Sequence, residues 1–121
     1  GDISAWMYEF LAGIRPDPDA PGFQRVILQP RPVADLEWVR ASHDSPHGAV
    51  RSSWRRDNDG LCVEFVLPPD TTGRIVLPAA GAEKVVVESA PAAEEALRPT
   101  ETPDGVEIEA APGTYRLLVK P

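Results

Sequence analysis

Residues Ala49 to Leu67, AVRSSWRRDNDGLCVEFVL, decide how this chain folds. Val50, Ser52 and Trp54 alternate with Arg51, Ser53 and Arg55, a period of two that turns one face toward a core and leaves the arginines wet. Asp57-Asn58-Asp59-Gly60 then reads as a hairpin turn. Leu61, Val63, Phe65 and Leu67 resume the alternation on the way back, with Cys62 on the opposite face as a half-buried, unreactive thiol.

The same grammar extends in both directions. Upstream, QRVILQP is a strand closed by Pro30 and Pro32, and LEWVRAS sets Leu36, Trp38 and Arg40 against Glu37, Val39 and Ala41. HDSPHG, residues 43–48, is a turn: Asp44 and Ser45 bond nearby backbone, Pro46 presets φ and Gly48 frees the exit. Downstream come RIVLP, KVVVES, GVEIEA and TYRLLVK, with residues 89–104 as the least structured stretch. About eight short strands at turn-punctuated spacing predict an all-β, antiparallel β-sandwich over residues 24–121.

The first 14 residues follow another period. Ile3, Met7, Phe10, Leu11 and Ile14 form a helical stripe, while Trp6 and Tyr8 point elsewhere, so the helix is apolar over most of its circumference. Asp2 or Ser4 suits its start and Gly13 its end. Residues 15–23, with Pro16, Pro18 and Pro21, then form a proline-rich crossover loop. A helix apolar on several sides needs protein on several sides. Trp6, Met7, Tyr8 and Phe10 are therefore the candidate interface, and a chain left without its neighbour is expected to self-associate there.

The 121 residues suit one domain, and the single cysteine excludes an internal disulfide framework without fixing a compartment. Net charge is −7; from Leu61 onward 10 acidic residues face 5 basic ones, against 9 and 7 before it. No basic stripe marks a nucleic-acid or anionic-membrane partner, and no apolar run approaches a membrane span. A chain opening on Gly1 reads as a segment of a longer polypeptide.

Sharper chemical readings fare poorly against plainer ones. His43 and His47, four apart, sit in a turn rather than on one helix face, so a solvated turn outweighs a metal site. Asp17 and Asp19 gather too few oxygens for calcium, and Asp57 and Asp59 read as hairpin chemistry. Glu94-Glu95 and Glu107/Glu109 are the candidates for a hydrolytic carboxylate pair, and the latter lie on a wet strand face. Ser42-His43-Asp44-Ser45 is adjacency in sequence, not a triad. Trp38 and Trp54 each share a face with an apolar neighbour, Leu36 and Val50, which favours core or interdomain packing; stacking on a sugar ring is the alternative.

Three stretches carry a likeness. G-x-x-x-x-W-x-Y from Gly1 runs into A-G-I-x-P-D-P-x-x-P-G-F, Ala12 to Phe23. D-S-P-x-G then precedes x-S-x-W, and LPPDTTGRIVLP follows. From Gly1 to about Pro78 the chain resembles the carboxy-terminal region of bacterial α-L-rhamnosidases of glycoside hydrolase family 78. His43 and His47 depart from it where tyrosine is expected at one or both positions, and Ala5 where an acidic or small residue often precedes the tryptophan. The resemblance implies an upstream (α/α)6 catalytic barrel as partner, with residues 1–14 as its last helix. It implies inverting hydrolysis of terminal α-L-rhamnosides by an acid–base carboxyl pair. Those carboxyls, and a histidine motif lining the sugar site, would lie before Gly1. No catalytic, cofactor-binding or metal-ligating residue, and no cofactor, is expected within this chain. Its role would be that of a non-catalytic accessory domain; a carbohydrate-binding module and a free-standing interaction domain are the alternatives.

Overall fold

The computed structural model describes residues 5–20, 24–33, 35–91 and 97–121, and only the backbone of Ala5, Trp6 and Tyr8. Two antiparallel hairpins in tandem build one side of one sheet. Trp38–Ser45 (β3) pairs with Gly48–Asp57 (β4), which pairs with Gly60–Leu67 (β5). Each turn is fastened by its own first side chain: the His47 N–H donates to Ser45 Oγ at 3.2 Å, and the Asp59 N–H to Asp57 Oδ1 at 2.8 Å. Gly60 closes the second turn at φ 125°, and a Cβ there would stand 2.1 Å from the Val119 carbonyl oxygen. Gly113–Val119 (β10) adds to β5, and Val85–Ser89 (β7) to β10, completing the order β3-β4-β5-β10-β7.

The second sheet runs β1-β2-β6-β9-β8, from Ile14–Pro16 (β1), Arg25–Leu28 (β2), Thr72–Leu77 (β6), Gly105–Ala110 (β9) and Thr100–Thr102 (β8). The inner faces meet in one core that includes Val26, Leu28, Val50, Trp54, Val63, Phe65, Ile75, Leu77, Ile108, Tyr115 and Leu117. The alternation read along β4, β5 and β9 is borne out: Val50, Ser52, Trp54, Val63, Phe65, Val106 and Ile108 are all buried. The chain is an all-β sandwich preceded by one helix, Ala5–Ala12 (α1).

Four details depart from the expectation. There are ten strands among the described residues; the two extra ones, β1 and β8, are three residues each and lie in stretches read as loop. The pair β2·β6 is parallel, because β3, β4 and β5 are threaded through the other sheet between them. His43, Asp44 and Ser45 belong to strand rather than turn. The helix ends at Ala12, so Ile14 is not a helical residue but the first of β1, opposite Leu28. Gly13 makes that switch: its φ is +85°, and a Cβ would collide with the Gln29 carbonyl at 1.9 Å. The proposed caps Asp2 and Ser4, as well as Ile3, lie outside the described residues.

Candidate functional site

Eight residues make too short a helix to hold itself, so its stability comes from what it is packed against. The last turn of α1 leaves carbonyls without helical partners, and the sandwich takes them one by one. The Gly13 N–H closes on Glu9 O at 2.8 Å, and Arg31 Nη1 donates to Phe10 O at 2.9 Å. Leu11 O accepts from the Trp54 indole at 2.9 Å and from the Arg31 N–H at 3.0 Å. Ser52 Oγ donates to Ala12 O at 2.6 Å. Ser52 and Trp54 are 2 % exposed, and the helix carbonyls are the acceptors that make such burial tolerable. Leu11 and Ala12 sit in the core of the sandwich itself.

The helix also has a side that the sandwich leaves open. Phe10 is 49 % exposed, with the Arg31 guanidinium 4.4 Å from its ring centroid. Burial, and secondarily the nearby Arg15, pulls the Arg31 pKa below the ordinary arginine value. Met7 packs partly against the core, and Glu9 Oε1 lies 2.8 Å from His43 Nδ1 on β3. Of the candidate interface, then, Phe10 faces outward and Met7 inward; the side chains of Trp6 and Tyr8 lie outside the described residues.

The other singled-out residues fall into ordinary roles. Asp17 accepts from the Asp19 N–H at 3.0 Å and from Arg25 Nε at 3.1 Å, and Arg25 also grips Glu109 through Nη2 at 2.6 and 2.7 Å. Glu107 lies 3.7 Å from Arg74. Asp17, Glu107 and Glu109 are thus each engaged by an arginine of the same sheet. His43 is engaged by the helix instead of standing in a solvated turn, and no group of three or more potential metal ligands gathers among the described residues. Glu94 and Glu95 lie outside those residues.

The bacterial α-L-rhamnosidase C-terminal domain family matches residues 13–91, more than half of the chain. The chain belongs to that family. Its first matched residue is Gly13, where the helix gives way to the sandwich. An α-L-rhamnosidase of Formosa agariphila is 37 % identical over 89 residues, covering 74 % of this chain and 9 % of that relative. One from Streptomyces avermitilis is 33 % identical over 85 residues, 70 % of this chain and 8 % of the relative. The rhamnosidase-type sandwich thus spans about a tenth or less of these relatives. The Streptomyces avermitilis α-L-rhamnosidase complexed with L-rhamnose superposes with a TM-score of 0.77 over 95 % of this chain and 10 % of its own, at 28 % identity. The enzyme of Dictyoglumus thermophilum shares the fold, with a TM-score of 0.74 over 96 % of this chain and 13 % of its own, at 20 % identity.

The rhamnosidase-family domain carries a second surface, and it corrects the core half of the core-or-interdomain reading of Trp38. Trp38 is not in the core of this sandwich: it is 61 % exposed on the outer face of β3. Arg55 is its cross-strand partner, and Arg40 lies two residues along on the same face. Arg51, Ser53, Cys62, Glu64 and Arg116 continue that face across β4, β5 and β10. Contacts with Cys62 first, then with the Glu64 and Glu88 carboxylates, raise the Arg116 pKa. Trp54, by contrast, is inward and leaves the sugar-stacking reading to Trp38 alone.

Proposed function

We propose that this chain is the non-catalytic accessory domain at the carboxy end of an α-L-rhamnosidase. In this reading the parent enzyme removes terminal α-L-rhamnose with inversion on an upstream helical barrel, and this domain packs against that barrel through α1. One observation carries the reading: the last turn of α1 is tied carbonyl by carbonyl to β4 and to the segment after β2, while Phe10 stays uncovered. A helix clamped at one end holds whatever precedes it in a fixed orientation. Its open side, with Phe10 and the partly desolvated Arg31, has the mixed apolar and cationic make-up of an interface core. Without the barrel, the same side would draw copies of the chain together.

The test uses both the 121-residue chain and the full-length enzyme. The chain alone should leave an aryl α-L-rhamnoside intact. In the full-length enzyme, Phe10→Glu should lower the unfolding temperature of the catalytic domain while sparing kcat/KM well below it. In the isolated chain, Phe10→Glu should weaken self-association measured by sedimentation. Turnover by the isolated chain, or a Phe10→Glu enzyme unchanged in stability, would overturn the proposal.

A further inference from the structure

We infer that Arg15 and Arg31, brought together beside the Phe10 ring, hold a carboxylate presented by the preceding catalytic domain, a step that rests on the helix-docking reading. Backbone register brings the two arginines together. Ile14 lies opposite Leu28 and Arg15 opposite Ile27. The same register runs on past β1 and β2, with the Gln29 N–H donating to Gly13 O and the Arg31 N–H to Leu11 O. The Arg15 fork donates across to Gln29 Oε1 at 3.1 Å, and the Arg31 guanidinium lies 4.4 Å from the Phe10 ring centroid. Two cations, one amide and an exposed ring thus border the open side of α1.

The chain's own carboxylates do not answer that charge. Glu9 is engaged by His43 and Asp17 by Arg25, and among the described residues Asp19 and Asp35 pair with neither arginine. The end of α1 takes one donor of Arg31, the bond to Phe10 O, and its dipole offsets part of the charge. Burial first and Arg15 second hold the Arg31 pKa below the ordinary arginine value, so the charge that Arg31 feels is another cation. Elsewhere in this sheet the arginines are answered, Arg25 by Asp17 and Glu109 and Arg74 by Glu107. Docking against Phe10 would strip water from both guanidiniums, and a charge buried without a partner is costly. The facing surface must therefore bring an anion along with apolar atoms for the ring. A free ion answers the charge and leaves Phe10 bare; a carboxylate set in a protein surface answers both. In the helix-docking reading the catalytic domain is tethered through α1 beside these groups, at an effective concentration that a second copy does not reach.

Arg15→Glu in the full-length enzyme tests it, with the 121-residue chain as reference. Arg15 is exposed and its side chain bonds only Gln29 among the described residues, so the urea midpoint of the isolated chain should stay where it is. In the enzyme, Arg15→Glu should lower the unfolding temperature of the catalytic domain by about 2 °C or more in dilute buffer, and Arg15→Gln by less. The gap between the two variants should shrink at about 0.5 M salt, where charges a few ångströms apart are screened. Unchanged or raised enzyme stability with Arg15→Glu overturns the inference. So does a gap that salt leaves intact, or a loss that the isolated chain shows in equal measure. Self-association of the isolated chain that Arg15→Glu abolishes, with the enzyme unmoved, assigns the carboxylate to a second copy and overturns it too. Phe10→Glu separates the two possible failures. Destabilisation by Phe10→Glu with none by Arg15→Glu removes the acidic partner and leaves helix docking standing, whereas no effect of either removes both.

Discussion

Asp17 shows how one proline-flanked carboxylate became structural. Its Oδ1 accepts the Asp19 N–H and its Oδ2 meets Arg25 on β2, which in turn holds Glu109 on β9, so one loop carboxylate is linked through Arg25 to two strands. The backbone N–H of Asp19, with Arg25 adding to it, keeps the Asp17 pKa below its ordinary 3.8. A carboxyl whose native pKa is depressed stabilises the fold above its unfolded value and loses that contribution as pH falls through the native one. Asp17→Asn should therefore be less stable than the parent at pH 6, and the gap should close in acid below 3.8. Urea unfolding of both proteins across that range reads the gap directly, because the other carboxylates cancel in the difference. A gap independent of pH would mean that the charge of Asp17 contributes nothing.

At the scale of elements, the helix depends on two side chains supplied by β4. Ser52→Ala strands the Ala12 carbonyl, and Trp54→Phe strands one bond to Leu11 O while keeping most of the buried ring. Each should cost about 1–2 kcal/mol, the toll of removing one partner of a buried hydrogen bond. The loss should be local first: amide exchange in α1 should accelerate more than in β4 or β5. Uniform acceleration would show the helix and sandwich to be a single cooperative unit at these bonds. The two tryptophans also show what was legible beforehand. Trp54 lies within a long strand, where the alternation phase is set by its hairpin partners, and its burial was readable. Trp38 was assigned by its phase with Leu36, but β3 begins at Trp38, and Leu36 precedes it in irregular backbone whose phase carries no information. Ser52 read as a polar residue on a core face; its acceptor comes from 40 residues away and has no local signature.

For the molecule as a whole, the division between local and distant pairing separates what could be read from what could not. The hairpins β3-β4 and β4-β5 are written in turn residues beside the strands they join. The strands β1 and β8, three residues each, exist because β2 and β9 offer an edge, and the parallel register of β2 on β6 joins residues nearly 50 apart. The leading segment illustrates the consequence. Read alone, residues 1–14 belonged wholly to an absent neighbour; in the fold, Leu11, Ala12 and Ile14 are core residues of the sandwich, and β1 covers the edge of β2. The segment is therefore built into the core of this sandwich. Removing residues 1–16 would uncover Leu28 and Trp54, strip the acceptors of the Trp54 indole and the Gln29 N–H, and expose a bare strand edge. Burial of Leu11 and Ile14 alone is worth about 3–6 kcal/mol, a large part of the stability of a domain this size. A chain beginning at Asp17 should lose its cooperative urea transition or aggregate, whereas a helix that merely hung from the sandwich could be cut away with the transition midpoint unmoved.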